Sequence, residues 1–336
     1  MADDSGQREV LAKLTGAWIT QAVAAMAELG LADLLYDRRL TWKELARASG
    51  THPDSLRRLL RLLAAHDLVE AGPAGTYTIT PTGALLSRRH PDSLADLALF
   101  YAGPFYASWG ALLHAVRTGR QGFEHVFGKP FFAYTAEHPE MGERFDRAMA
   151  CGSLFFAQVP LVYDFTRHDV IVDLGGGNGA LLAAILSQAP EARGILFDSA
   201  EVVGRVRATA STTGERCEVM AGDFFAEVPP GGDVYLLSRV LHDWDDERAG
   251  VLLGNCGVAL APGTRLLVVE RLVPEHPAAD PEALALPWDV HMLVNNGSGR
   301  ERRLQEYTCL LDSAGFKLVD VSGLPLELNL LVAERR

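Results

Sequence analysis

The stretch LLSRVLHDWDDE, residues 236–247, runs from apolar residues into acid, and one imidazole, His242, stands at the junction. A histidine there is either a general base, able to take a proton from an attacking nucleophile, or a polar residue capping the helix that follows. Asp243 and Asp245 are better helix caps than an imidazole, which leaves His242 available for chemistry. At the carboxyl end of a central strand it would face the crevice of an open α/β sheet. If the nucleophile is a phenol, with a pKa near ~10, it is mostly protonated at neutral pH. A neutral imidazole within hydrogen-bond reach then takes the proton as the oxygen attacks.

A second constellation is VIVDLGGGNGA, residues 170–180, a strand pattern running into glycines and then a helix. Gly175, Gly177 and Ala180 satisfy the spacing of the dinucleotide fingerprint, and Asp198 lies 23 residues past Gly175. Glycine lets a ligand approach the backbone closely, and a carboxylate ending the next strand can accept both hydroxyls of a ribose. The pattern suits NAD and S-adenosylmethionine equally, since both carry an adenosine. The rest of the sheet tips the choice towards S-adenosylmethionine. Gly222-Asp223-Phe224 offers an acid and a ring for an adenine, and Asp173 places an anion beside the glycines, where a cationic methionine end could lie.

Positioning these groups takes a scaffold. From about residue 168 the apolar runs 170–174, 193–198, 217–223, 233–238 and 264–270 alternate with helical segments at 179–189, 199–212 and 245–260. This alternation predicts a doubly wound, Rossmann-like α/β domain with a mostly parallel sheet, closed by FKLVDVSG and LNLLVAE as an antiparallel edge hairpin. Residues 41–80 read as helix, turn, helix and hairpin, a winged helix, with Thr41 and Glu44 in capping-box spacing and Pro53 at a helix start. Before it, Val10, Leu14, Trp18, Val23, Met26 and Leu29 lie at helical spacing over residues 8–36. So apolar a helical pair needs a partner, either a second subunit or its own chain. Ten of the 27 aromatic residues, Trp109 among them, fall between residues 100 and 134, where ordinary core packing and a wall for a flat apolar ligand are both open readings. The expected domains are 1–100, a winged-helix dimerisation domain, 101–167, a helical linker lining an acceptor pocket, and 168–336, the catalytic domain.

Charge and cysteines narrow the partners. With 31 Lys and Arg against 43 Asp and Glu the net charge is −12, and the winged module itself has five basic residues against four acidic. A nucleic-acid partner, which needs a cationic surface, is not expected. Cys151, Cys217, Cys256 and Cys309 form no CxxC, and no metal-ligand cluster is apparent. They read as reduced thiols of a cytoplasmic protein, and the polar MADDSGQREV is no signal peptide. The uncharged run Leu97–Leu113 is interrupted at Gly103-Pro104, so it is read as two buried segments meeting at a bend and not as a membrane anchor.

The motifs VDLGGGNG, FDSA, GDFF, LHDWDDE, LLVVER and NNGSGRER, in that order, resemble the caffeate O-methyltransferase-like small-molecule O-methyltransferases, in their bacterial secondary-metabolite branch. FYAGPFYASW, YLLSRVLHDW, LLGNC and PWDVHML are most similar to phenazine methyltransferases. The resemblance covers nearly the whole chain. It implies a class I S-adenosylmethionine-dependent O-methyltransferase that works as a homodimer on a hydroxyl of a planar aromatic metabolite, such as a phenazine phenol or N-hydroxyl. It assigns His242 as general base, with Glu270 and Glu301 holding it. Gly175, Asp198, Asp223, Phe224, Ser238, Arg239 and Trp244 would bind the cofactor, Ser238 standing where the plant enzymes have lysine. Met292 and Asn296 would grip the acceptor, with Trp109, Met149, Trp288 and Asn295 around it. N-methylation of a heteroaromatic nitrogen and an NAD-dependent oxidoreductase are the alternatives.

Overall fold

A computed structural model of the chain describes residues 5–151, 153–209, 214 and 216–336. The chain divides into two compact units, Met1–Ala107 with Arg147–Gly152, and Ser108–Asp146 with Ser153–Arg336. The segment 101–167, expected as a linker of its own, is shared between them.

In the first unit, helices Ser5–Glu28 and Leu31–Leu35 lead into β1 (Leu40–Thr41), helices Trp42–Ser49 and Pro53–Ala65, then β2 (Val69–Ala71) and β3 (Thr76–Ile79). The three strands form an antiparallel sheet in the order β1-β3-β2, which is the helix-turn-helix and hairpin expected. Thr41 and Glu44 make the reciprocal capping box, and Pro53 opens its helix. Met26, Leu31, Leu45, Leu60 and Leu63 form the core. Arg57, which a DNA-reading helix would turn outward, lies over the Trp42 ring at 5.5 Å.

Only the second half of Ser5–Glu28 is packed. Val10, Leu11, Leu14 and Trp18 stay 57–68% exposed, a stripe that no described residue covers. Among the described residues this is also the one helix long and apolar enough to cross a membrane, a property expected to be in question only at Leu97–Leu113. That later run is not broken at Gly103-Pro104 as expected. Tyr101–Phe105 is a π-helical turn that carries Pro104 inside it, so the helix runs on through the proline.

The second unit holds a seven-stranded sheet of β4 (Val170–Leu174), β5 (Arg193–Asp198), β6 (Cys217–Ala221), β7 (Val234–Ser238), β8 (Arg265–Arg271), β9 (Phe316–Gly323) and β10 (Leu328–Arg335). Its order is β6-β5-β4-β7-β8-β10-β9; the first five strands are parallel, and β10 pairs antiparallel with both β8 and β9. Helices Ala180–Gln188, Ala200–Thr209 and Asp246–Ala259 alternate with the strands; the rest of the segment expected to be helical over 199–212 lies outside the described residues. Both faces are covered, which is why the strands read as unbroken apolar runs. Val172, Leu174, Tyr235, Leu237, Leu266 and Val268 pack on one side with Leu252, Leu253 and Tyr307. Ile171, Leu196, Val234, Leu236, Leu267 and Val269 pack on the other with Leu181, Leu182 and Ile185. Each such burial contributes roughly 1.5–3 kcal/mol, enough to hold the strand ends rigid beneath the site.

Candidate active site

Strand order reverses at β4, with β5 on one side and β7 on the other. In doubly wound sheets that reversal opens a crevice at the carboxyl ends of the strands. The turn after β4 has positive φ at Gly175, Gly177 and Gly179. A Cβ at Gly175 would come within 3.0 Å of Val240 and 3.5 Å of Phe224, whereas at Gly177 nothing lies within 4 Å. The loop is therefore tight against the fold at its start and open further along, where a ligand can lie on its backbone.

Two acids border this loop. Asp198 accepts hydrogen bonds from the amides of Gly177 (2.9 Å) and Ser199 (2.7 Å). Burial outweighs those amides and pushes its carboxyl up to about 6. Asp173 is 1% exposed, and among the described residues neither of its oxygens has a hydrogen-bond partner. Burial, then the charge of Asp198, raises it to about 7. An unpaired buried carboxylate is costly, so it fits a site whose cation arrives with the ligand. S-adenosylmethionine supplies such cations as its amino group and sulfonium.

The aromatic side of the crevice comes from Phe224, Phe225 and Trp244. Phe225 meets Trp244 edge-on at 4.7 Å, Phe132 stacks on Trp244 at 5.9 Å, and Arg248 covers both Phe225 and Trp244 at 4.2 and 4.6 Å. Asn255 donates to the carbonyls of Phe224 and Phe225, and Asp223 accepts from the Phe225 amide at 2.8 Å, so the loop after β6 is held at three points. Ser238 Oγ and Trp244 Nε1 are buried without hydrogen-bond partners among the described residues, so both donors are open to a ligand. Arg239 follows β7 with φ +56°, a left-handed conformation that costs a non-glycine residue roughly 1–3 kcal/mol. Its guanidinium lies 5.2 Å from the Phe155 ring.

His242 sits in a short 3-10 turn, Leu241–Asp243, and is 8% exposed. It caps nothing: Asp245 is the cap of Asp246–Ala259, accepting from the Arg248 amide at 2.9 Å. The ring Nδ1 lies 3.0 Å from Glu301 Oε1 and 3.5 Å from Glu270 Oε2, and the His242 amide donates to Glu270 Oε1 at 3.2 Å. With its Nδ1 proton given to Glu301, the ring presents Nε2 for proton transfer. Burial disfavours the charged ring, but the charges of Glu270, Glu301 and Asp243 outweigh it and raise the imidazole to about 10. The neutral ring expected at rest is thus replaced by one whose carboxylate neighbours favour the imidazolium. Burial in turn pushes Glu270 up to about 7 and Asp243 to about 6. His242, Glu270 and Glu301 also place potential metal-ligand atoms within 4.8 Å of one another, a cluster invisible in the sequence. The 3.0 Å contact is the length of a hydrogen bond, and a ring donating from Nδ1 has no lone pair there for a metal.

The expected acceptor residues come together in part. Helix Ala285–Asn296 carries Trp288, Met292, Asn295 and Asn296. Asn296 donates to Asp243 Oδ1 and lies 3.7 Å from Met292 Sδ, so both sit beside the His242 turn. Trp109 donates its indole N–H to His291 Nδ1 at 3.1 Å. Asn295 is 1% exposed and supports the wall: it accepts from Ser108 at 2.5 Å and donates to the His291 carbonyl at 3.1 Å. Trp288 lies 4.5 Å from the Arg271 guanidinium. Met149 belongs to the first unit.

Two residues escaped the sequence analysis. Fully buried Arg302 donates to Leu241 O (2.9 Å), Trp244 O (2.7 Å) and Asp246 Oδ1 (2.9 Å), fastening GRER to LHDWDDE. Its signal was an arginine one residue past Glu301, at the end of GRER. His291 is held neutral, burial and then the charge of His242 pushing it down to about 3. It stood unremarked inside PWDVHML.

Known proteins share this chain's two domains and its fold. The family model of the O-methyltransferase domain matches residues 109–317, and that of the O-methyltransferase dimerisation domain matches residues 11–89. The chain is 45% identical to 3-amino-4-hydroxybenzoate 4-O-methyltransferase of Streptomyces cremeus, covering 100% of this chain and 92% of that protein. It is 37% identical to phenazine-1-carboxylate N-methyltransferase of Pseudomonas aeruginosa, over 98% and 97% of the two chains. The solved structure of human N-acetylserotonin methyltransferase in complex with S-adenosylmethionine superposes with a TM-score of 0.92 at 27% identity, covering 99% of each chain.

Proposed function

The chain belongs to the S-adenosylmethionine-dependent O-methyltransferase family of aromatic secondary metabolism, and on that premise we propose that it methylates a ring hydroxyl of a planar aromatic acceptor with His242 as general base. S-adenosylmethionine supplies the methyl group, on a sulfonium that leaves as a neutral thioether. The protein's work is to hold and deprotonate. Asp198, Asp223 and Phe224 are read as the adenosine-binding groups, with Gly175, Ser238, Arg239 and Trp244 around them. Asp173 offers its two unpartnered oxygens to the cationic end. Met292 and Asn296 hold the acceptor beside His242 Nε2.

The observation that carries this reading is the His242–Glu301–Glu270 cluster. Its carboxylates raise the proton affinity of the imidazole towards that of a phenol, ~10, which strengthens Nε2 as the acceptor of the hydroxyl proton. Only the deprotonated fraction of the ring can act, and the rate should rise with pH through neutrality. Positioning contributes as well, since holding the reacting atoms at contact distance raises effective concentration greatly. The 3-amino-4-hydroxybenzoate enzyme, named for an O-methylation, supports oxygen as the nucleophile. The phenazine relative, named for an N-methylation, keeps nitrogen as the rival outcome. Incubation with S-adenosylmethionine and a panel of aminophenols and hydroxyphenazines, read by mass spectrometry, decides between them. Methyl ethers are expected; N-methyl products alone would contradict the proposal.

The assembly is read as a homodimer built on Ser5–Glu28 and the winged module. The exposed stripe Val10, Leu11, Leu14 and Trp18 then meets its partner instead of lipid, and the matched dimerisation domain supports that cover. The net charge of −12 supports a small-molecule enzyme without a nucleic-acid partner, and the unpaired cysteines support a reducing, cytoplasmic setting.

A further inference from the structure

Two arginines are buried at this end of the second unit, and they differ in one respect. Arg302 spends its donors on two carbonyls and a carboxylate. Arg271, 7% exposed, has a buried Nε without a hydrogen-bond partner, and among the described residues its guanidinium makes no ion pair. Burying an unpaired charge is unfavourable unless something pairs with it. The face of Trp288 lies against it, 4.5 Å from Cζ. A ring stacked on a guanidinium leaves the edge donors, which match a carboxylate in a two-pronged hydrogen bond.

The placement says whose carboxylate. Arg271 ends β8, one residue beyond Glu270, at the crevice end of the sheet. Trp288 precedes Met292 by four residues and Asn295 by seven on one helix, so the three share a face. We propose that Arg271, backed by Trp288, binds a carboxylate on the acceptor, which makes the substrate a hydroxylated aromatic acid. This rests on the acceptor reading given above. The amino-acid end of the cofactor carries the same group, and the two sources are separable.

The test uses the full-length enzyme, its Arg271→Met and Arg271→Lys variants, and paired acceptors: hydroxybenzoic and hydroxyphenazine carboxylic acids against their neutral methyl esters. The wild type should prefer acid over ester by about 10–100-fold in kcat/KM, the range of a hydrogen bond to a charged group. In Arg271→Met that ratio should collapse towards one through KM, and Arg271→Lys should recover part of it. Calorimetry with S-adenosylhomocysteine should give a dissociation constant within about threefold of wild type. Equal losses on acid and ester would show that Arg271 only supports the fold, and would overturn the proposal. Loss of S-adenosylhomocysteine affinity would assign the carboxylate to the cofactor, with the same effect. If the wild type methylates neither acid nor ester, the acceptor reading itself fails and this inference falls with it.

Discussion

His242 and His291 lie in the same unit and hold protons in opposite ways. Both are buried, which by itself disfavours an imidazolium. Burial and the charge of His242 push His291 down to about 3; His242 has three carboxylates beside it and rises to about 10. Taking one carboxylate away should therefore lower the proton affinity of His242. Glu301→Gln is expected to move the acid limb of the kcat/KM profile to lower pH and to lower the plateau, because the weaker base is also less well oriented. A midpoint that stays put, or moves up, would mean that the limb belongs to another group. At Asp198 the expectation concerns binding. Its carboxylate already holds the amides of Gly177 and Ser199, and Asp198→Asn keeps an oxygen for one of them while removing the charge. The S-adenosylhomocysteine affinity should fall by about 1.5–3 kcal/mol in calorimetry, the worth of a charge-assisted hydrogen bond. An unchanged affinity would take Asp198 out of the ribose site.

Among the elements, the Gly299–Arg302 loop matters most for His242. A Cβ at Gly299 would lie 2.7 Å from the His242 carbonyl, Arg300 donates to that same carbonyl at 2.8 Å, and Arg302 ties down Leu241 and Trp244. Arg302→Met should leave the buried Trp244 carbonyl without its donor, costing about 1–3 kcal/mol, and the Leu241 carbonyl with only the Trp244 amide at 3.3 Å. A urea midpoint equal to that of wild type would refute the clamp. This loop also shows where sequence reading stops. The parallel strands were legible because burial on both faces writes them as apolar runs, and the capping box and Pro53 marked helix starts by local chemistry. The proposed base, His242, was legible as an imidazole at a strand end. Its dependence on Glu270 and Glu301 came only with the family resemblance, since 28 and 59 residues separate them from His242 and no local period records such a contact. The same holds for the contact of Trp109 with His291, 182 residues apart. Gly103-Pro104 misled because a π turn carries proline without breaking the helix.

For the whole molecule, the exposed apolar stripe of Ser5–Glu28 demands cover. An obligate interface of this kind buries upwards of ~2,000 Å², and placing charge in it should be decisive. Leu14→Glu with Trp18→Glu is expected to turn a dimer into a monomer or an aggregate by light scattering. A wild type that is monomeric and fully active would contradict the dimer. The central claim is that this scaffold turns His242 into the base for a ring hydroxyl, and its most direct test varies the acidity of the acceptor. Single-turnover rates of wild type and His242→Ala are compared over a series of phenols of falling pKa, at saturating S-adenosylmethionine. The account predicts a loss of at least ~100-fold on an ordinary phenol, shrinking steadily as the acceptor becomes acidic enough to ionise unaided. A variant that keeps near-full rate on the least acidic phenol, or loses the same factor across the series, would contradict it.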